Sequence, residues 1–110
     1  MRAPAHDVHQ TLIANEEDID IAARSMKAMA HPLRLKILCI VGCRAEVCVQ
    51  DIVDRVGTSQ SNISQHLSIL RDKGILAFRK DANKVYYRIA DARIVKLIDT
   101  LRDAFCSARK

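Results

Sequence analysis

The sequence predicts a mainly helical α+β fold, in which four helices are followed by one β-hairpin and a closing helix. Apolar residues recur at helical spacing through most of the chain. After Gly74 the period changes. Two short segments rich in β-branched and aromatic residues, ILAFRK and KVYYRIA, flank a polar tip as in a hairpin. Helical spacing then returns over 92–107.

The composition favours a single folded domain that does not cross a membrane. Apolar residues make up 49% of the chain and charged residues 28%, as in globular proteins, and no run of about 18 apolar residues occurs. The first residues lack the basic start and apolar stretch of a secretory signal. We therefore expect a cytoplasmic protein with a flexible N-terminal segment over 1–15 and one domain over 16–110.

Charge and proline delimit the first helices. The acidic residues at 16–18 favour the positive N-terminal end of a first helix. Because His31 precedes a proline, it avoids the helical conformation, so the first helix ends there and a second begins at Pro32. Residues 44–48 fit either a short strand or the start of a helix. A third, short helix follows and ends at Gly57.

The stretch 57–75 is the most informative part of the chain, because a tight turn leads there into an amphipathic helix. Ser59 is placed to cap the first free amides of this helix, and Gly74 is placed to end it. The apolar stripe of the helix consists of Ile63, Leu67 and Leu70. A helix, a turn containing glycine and a second helix form the helix-turn-helix arrangement.

The opposite face of this helix carries side chains that offer both hydrogen-bond donors and acceptors, and none of them is acidic. With the capping serine, they are Ser59, Gln60, Ser61, Asn62, Ser64, Gln65 and His66. Such side chains match the base edges and phosphates of a DNA major groove. Double-stranded DNA is therefore the expected partner, and an ordinary solvated surface helix is the alternative.

Positive charge is concentrated directly after this helix. The net charge of the chain is +5, and residues 71–88 hold six basic residues against two acidic ones. Three of the basic residues, Arg79, Lys80 and Lys84, flank the tip of the hairpin. We expect them to contact the DNA backbone or minor groove. A basic face without a partner is the alternative.

The first and last helices both carry broad apolar sides. Together they display more apolar surface than so small a core absorbs, so we expect a homodimer formed through these two helices. Packing of both sides within one monomer is the alternative. The chain contains no Cys-x-x-Cys pair, no βαβ pattern and no glycine-rich phosphate loop. We therefore expect neither an enzyme nor a bound cofactor.

Three segments resemble the ArsR/SmtB family of winged-helix transcriptional repressors. They are AMAHPLRLKIL at the second helix, SQSNISQHLSILRDKGIL at the polar-faced helix and VYYRIAD at the second hairpin strand. The resemblance covers about residues 20–107. Members of this family are homodimers that repress an operator and release it when an inducer binds. The resemblance thus implies a winged helix-turn-helix repressor whose two-stranded hairpin is the wing.

The four cysteines are the candidate sensor groups, since structural disulfides are not expected in a cytoplasmic protein. Cys39 in KILCIV and Cys106 in DAFCS resemble the dithiol branch of the family, whose members sense persulfides, related reactive sulfur species or oxidants. The resemblance implies that a disulfide or polysulfide link between these two thiols releases the operator. A buried cysteine that acts only as a small apolar residue is the alternative, above all for Cys39.

Metal sensing is a further alternative. The arsenic and cadmium members of the family carry two cysteines two residues apart in the third helix. Here Cys48 matches the first, but Gln50 stands at the position of the second. Cys39, Cys43 and Cys48 remain a candidate three-thiolate metalloid site. The zinc members use the last helix. At their ligand positions this chain has Asp91, Arg93, Ala104 and Ser107. Because arginine does not ligate cations, no zinc site is expected there.

Overall fold

A computed structural model of the chain describes residues 12 and 15–106. The elements are α1 (Glu16–Met29), α2 (Pro32–Gly42), β1 (Val47–Cys48), α3 (Val49–Val56), α4 (Gln60–Asp72), β2 (Leu76–Asp81), β3 (Lys84–Ile89) and α5 (Ala92–Cys106). The predicted α+β winged helix-turn-helix is therefore confirmed. Most of the segment 1–15 and the predicted end of the last helix at Ser107 lie outside the described residues. No helix in the described part is long and apolar enough to cross a membrane.

Side chains just before two helices satisfy their first free amides. The Ser59 Oγ accepts a hydrogen bond from the Asn62 amide at 3.2 Å, which confirms the predicted cap of α4. His31 does more than interrupt the chain before Pro32, because its Nδ1 accepts a hydrogen bond from the Leu33 amide at 3.1 Å. The histidine therefore caps α2, a role that its position before a proline alone did not predict.

The C-terminal end of α4 is closed by a left-handed glycine. Gly74 has a φ of +74°, which a residue with a side chain adopts only with strain. The Ile75 amide donates to the Leu70 carbonyl at 3.0 Å, and the Gly74 amide donates to the Arg71 carbonyl at 2.9 Å. This pair of bonds is the Schellman motif. Leu70 and Ile75 are both buried, so the path from α4 into β2 is fixed.

The hairpin is part of a three-stranded antiparallel sheet with the order β1-β3-β2. In the hairpin Leu76 lies opposite Ile89, and on the other edge of β3 Val47 lies opposite Tyr87. The predicted two-stranded wing thus gains a third strand from the ambiguous segment 44–48. Two residues are too few to show an alternating pattern, so only pairing with β3 defines this strand.

The core lies between α4, α2, α3 and the sheet. Its fully buried side chains are Ile37, Leu38, Val41, Ile52, Ile63, Leu67, Leu70, Ile75 and Leu76. The whole predicted apolar stripe of α4 is among them. The helix therefore packs inward by that stripe and turns its opposite side to solvent, which is the arrangement that the amphipathic pattern predicted.

The first and last helices, α1 and α5, leave large apolar side chains exposed. On α1 these are Ile19, Ile21 and Met26, and on α5 the main one is Phe105. Within α5 a single side chain, that of Ile98, is buried. The excess apolar surface predicted for the first and last helices is therefore present.

Candidate nucleic-acid interface and thiol site

The outward side of α4 is polar and accessible. Four of the predicted DNA-binding side chains are exposed there, namely Gln60, Ser61, Ser64 and Gln65. They lie on the side opposite the buried stripe. A rigid helix that presents short donors and acceptors in this way is what major-groove recognition requires.

Two other predicted DNA-binding residues of α4 are half-buried and bonded within the protein. The Asn62 Nδ2 lies 3.3 Å from the Thr58 Oγ1, to which it donates. The His66 Nδ1 accepts a hydrogen bond from the Arg34 Nε at 3.1 Å. Asn62 thus ties α4 to the preceding turn, and His66 ties α4 to α2. These bonds favour a role inside the protein over base reading.

A groove of about 470 Å³ separates the first turns of α4 from the hairpin. Its lining includes Gln60 and Ser64 of α4, Asp51 in the first turn of α3, Asn83 in the hairpin turn and Lys84 at the start of β3. The polar side of α4 and the hairpin therefore form one concave surface. Lys80 and Lys84, both predicted to contact DNA, are exposed near the tip.

Arg79 is engaged by an acidic partner that the sequence did not reveal. Its Nε and Nη2 donate to the two carboxylate oxygens of Glu46, each at 2.7 Å, and its guanidinium lies 4.6 Å from the centroid of the Tyr86 ring. The hydrogen bond from Arg79 lowers the pKa of Glu46. Because both groups are solvent-accessible, the pair adds little stability, but its bidentate geometry orients the hairpin.

The second candidate site lies where α5 packs across α2. Here Cys39, Cys43, Ile98 and Arg102 line a cavity of about 140 Å³. Although Cys39 as a whole is exposed, the packed helices partly shield its sulfur and so raise the pKa of the thiol; the thiols of Cys43 and Cys106 raise it further, and Arg102 opposes the rise. Cys106 lies on the last turn of α5, the helix that packs against α2 beside Cys39, but it does not line this cavity.

All four cysteines carry free thiols, and three of them are exposed, Cys39 included. The alternative that Cys39 is a buried core residue is therefore wrong. Cys48 lines the groove between α4 and the hairpin. In the described residues no group of three Cys, His, Asp or Glu side chains is placed to hold a metal ion. The alternative three-thiolate site of Cys39, Cys43 and Cys48 is thus not assembled.

At the ligand positions of the zinc members, the first residue caps a helix instead. The Asp91 Oδ1 accepts a hydrogen bond from the Arg93 amide at 2.8 Å, and the Oδ2 accepts one from the Arg93 Nη2 at 2.6 Å. These bonds lower the pKa of Asp91 to about 2. The carboxylate therefore serves the start of α5, and a cation at this place would meet the Arg93 guanidinium.

The helix-turn-helix, the polar side of α4 and the basic hairpin beside it define a winged-helix DNA-binding transcriptional regulator. The sequence model described as bacterial regulatory protein, arsR family, matches residues 31–77. Together with the relatives below, this match shows that the chain belongs to the arsR family. The predicted ArsR-type winged-helix regulator is therefore confirmed.

Several relatives are similar over most of their length. Nodulation protein NolR of Rhizobium meliloti is 39% identical over 89 residues, which are 81% of this chain and 72% of that protein. The biofilm growth-associated repressor of Xylella fastidiosa is 29% identical over 102 residues, covering 93% of this chain and 89% of the repressor. The solved structure of HlyU from Vibrio cholerae superposes with a TM-score of 0.79 at 35% identity, covering 84% of this chain and 99% of HlyU.

Proposed function

We propose that the chain is a dimeric repressor that binds operator DNA through α4 and the hairpin and releases it when Cys39 and Cys106 become linked. The observation that supports the sensing part is the packing of α5, the helix that ends at Cys106, against α2 beside Cys39. The predicted inducers are reactive sulfur species, such as persulfides, or oxidants. Each of them acts on these thiols.

The DNA-binding part of the proposal rests on accessible side chains. Gln60, Ser61, Ser64 and Gln65 meet base edges or phosphates from the outward side of α4, and two lysines at the hairpin tip add phosphate contacts. In a two-fold symmetric dimer, two copies of α4 enter major grooves about one duplex turn apart. The lysine contribution to affinity weakens as salt rises, because it comes from counterion release.

The dimer rests on the exposed apolar residues of α1 and α5. Ile19, Ile21, Met26 and Phe105 would cost solvation free energy if they stayed in water, and contact with a second copy removes them from it. Because Cys106 follows Phe105 directly, a link to Cys39 moves a helix that also contacts the partner. The two copies of α4 in the dimer are then no longer spaced to fit the operator.

The linking chemistry balances with a persulfide as the only co-reactant. The Cys39 thiolate attacks the outer sulfur of RSSH and takes it over, and the thiol RSH leaves. The Cys106 thiolate then attacks the Cys39 sulfur of this new persulfide, a Cys39–Cys106 disulfide forms, and HS⁻ leaves. The persulfide is the oxidant, so none other is needed. Insertion of further sulfurs yields a polysulfide bridge, which spans a larger gap than a disulfide.

The decisive experiment compares cysteine variants before and after treatment with sodium tetrasulfide. The DNA probe is a labelled duplex recovered by repeated selection from a random duplex library. Treatment should weaken wild-type binding by about 5–150-fold, the range of ordinary allosteric coupling. The Cys39→Ser and Cys106→Ser variants should keep their affinity. The matched controls Cys43→Ser and Cys48→Ser should respond like wild type.

Intact mass spectrometry of the same samples identifies the product. A disulfide, a polysulfide and a bound metalloid each change the mass differently, and peroxide in place of tetrasulfide separates general oxidation from sulfur transfer. If Cys106→Ser releases DNA as readily as wild type, the proposed link is wrong and the DNA-binding part stands. If the selected duplexes bind no better than random ones, the operator-binding part fails.

A further inference from the structure

A cluster of three polar side chains lies on the side of α4 turned towards α1 and α2. The guanidinium of Arg34, on α2, is its centre. The Arg34 Nη1 donates to the carbonyl of Ala28 at the end of α1, at 3.0 Å, and the Arg34 Nε donates to the His66 Nδ1 on α4 at 3.1 Å. The His31 ring lies beside His66, with 4.8 Å between their centroids. One arginine thus joins three helices.

We propose that Arg34 and neutral His66 form a positioning contact that holds α4 against α1 and α2, and that this contact opens when His66 takes up a proton. DNA affinity then decreases at low pH for a reason located inside the protein. The inference rests on the proposed contact of α4 with DNA. It assigns His66 to the support of the reading helix and not to base reading.

The hydrogen-bond geometry fixes the protonation state that the contact needs. The Nδ1 of His66 accepts from Arg34, so the proton of the neutral ring is on Nε2. A second proton goes to Nδ1 and places an N–H opposite the Arg34 N–H. The bond is then lost, and two positive groups face each other, because arginine stays charged at every working pH.

The surroundings of His66 oppose its protonation. Burial lowers its pKa below the usual 6.5, and the neighbouring His31 and Arg34 lower it further. Among the side chains of α3 and β2, which also pack against α4, the charged groups bond elsewhere or, like Arg55 and Lys80, are exposed to solvent. Asp51 pairs with Arg44, Asp54 accepts from Gln50, and Arg79 pairs with Glu46 and Asp81. The two neighbours on the α1–α2 side therefore set the local charge.

The sign of the pH effect follows from this lowered pKa. The unfolded chain takes up a proton at His66 near pH 6.5, whereas the folded chain resists it. The stabilising contribution of the contact is complete above pH 6.5 and is lost as the pH falls through the lowered folded value. A histidine that met DNA phosphates directly would have the opposite effect, because its positive charge would strengthen binding as the pH falls.

The test measures DNA affinity by fluorescence anisotropy between about pH 8 and pH 5.5, the range in which histidine changes charge. The main variant is His66→Asn, whose side-chain oxygen replaces Nδ1 as an acceptor at every pH and whose helix propensity matches that of histidine. It should bind the selected duplex nearly like wild type at high pH. On acidification wild type should weaken by about fivefold or more relative to this variant.

Two further variants separate positioning from a general loss of structure. Arg34→Met keeps the aliphatic stem and removes both donors, so it should bind weakly at high pH and lose the extra acid weakening. His31→Asn keeps a good helix cap and removes the neighbouring imidazole, so it should retain the acid weakening of wild type. If the pH dependence disappears in His31→Asn, the titrating group is His31 and the proposal is overturned.

A direct readout does not depend on DNA. Nitrogen NMR of the His66 ring should show a proton on Nε2 and an unprotonated Nδ1 at neutral pH. A proton on Nδ1 overturns the proposal. So do parallel pH profiles for wild type and His66→Asn. If the selected duplex binds no better than a random one at any pH, the DNA interface fails and this inference with it. If the pH profiles of wild type and His66→Asn are parallel and both bind the selected duplex tightly, this inference is rejected and the DNA interface stands.

Discussion

Two helices of this protein are packed very differently: α4, which is proposed to meet DNA, and α5, which carries Cys106. On α4 the three residues of the inward stripe are at most 1% exposed, and both helix ends are closed by specific hydrogen bonds. On α5 only Ile98 is buried, and Phe105 is 78% exposed. The surface proposed to meet DNA is thus built on a fixed element. The proposed thiol link is on an element that a new bond can shift at low cost.

The largest expected difference between the two helices is in core packing. Leu67→Ala on α4 should lower the free energy of unfolding by about 2–5 kcal/mol, because it leaves a cavity in the core. Phe105→Ala on α5 should cost less than about 0.5 kcal/mol in the monomer, since its side chain is in water there. Urea unfolding at low protein concentration measures both. Equal losses for the two variants would remove the contrast.

Dimer formation should depend on α5 and not on the surface that α4 and the hairpin are proposed to present to DNA. Phe105→Asp should weaken dimerisation at least about tenfold, equivalent to about 1.4 kcal/mol, because it places a charge in the proposed apolar contact. Sedimentation over a range of concentrations measures this effect. Lys80→Glu is the matched control, which should weaken DNA binding and leave dimerisation unchanged. A dimer that tolerates Phe105→Asp would place the interface elsewhere.

The helix cap offers a finer test within α4. Ser59→Ala should destabilise the protein by about 1 kcal/mol, since the Asn62 amide loses its acceptor. Ser61→Ala removes a hydroxyl two residues further on, on the exposed side, and should change stability by less than about 0.5 kcal/mol. Thermal unfolding compares the two. If Ser61→Ala is as destabilising as Ser59→Ala, the outward side of α4 has a structural role.

The smallest effect concerns thiol reactivity at the α2–α5 junction. The raised pKa of Cys39 favours the neutral thiol, so its alkylation by iodoacetamide should accelerate with pH towards and beyond 9.0. Arg102→Met should slow this reaction by about twofold at a given pH, because the guanidinium lowers the pKa of Cys39. Peptide mass spectrometry provides the rates, with Lys96→Met as the control on α5. Equal rates in the two variants would rule out an Arg102 effect.

Local patterns predicted the fold and half of the candidate site. The stripe, the cap and the terminal glycine of α4 lie within sixteen residues of one another, and spacing alone identified them. The partners of His66 and Arg79 were not predictable in this way, because Arg34 and Glu46 are 32 and 33 positions distant. Likewise β1 has only two residues, and its strand conformation depends on β3. Features that depend on neighbouring residues were therefore predictable from the sequence, whereas features that depend on pairing between distant residues were not.

The ion pair between Glu46 and Arg79 on β2 also determines which residues supply positive charge near the tip of the hairpin. Because Glu46 occupies the guanidinium of Arg79, the tip offers charge mainly through Lys80 and Lys84. A lysine charge, unlike an arginine charge, disappears when the amine is acetylated. Acetylation of these lysines would therefore weaken the proposed contact of the hairpin with a phosphate backbone, whereas the Glu46–Arg79 pair would keep its charges.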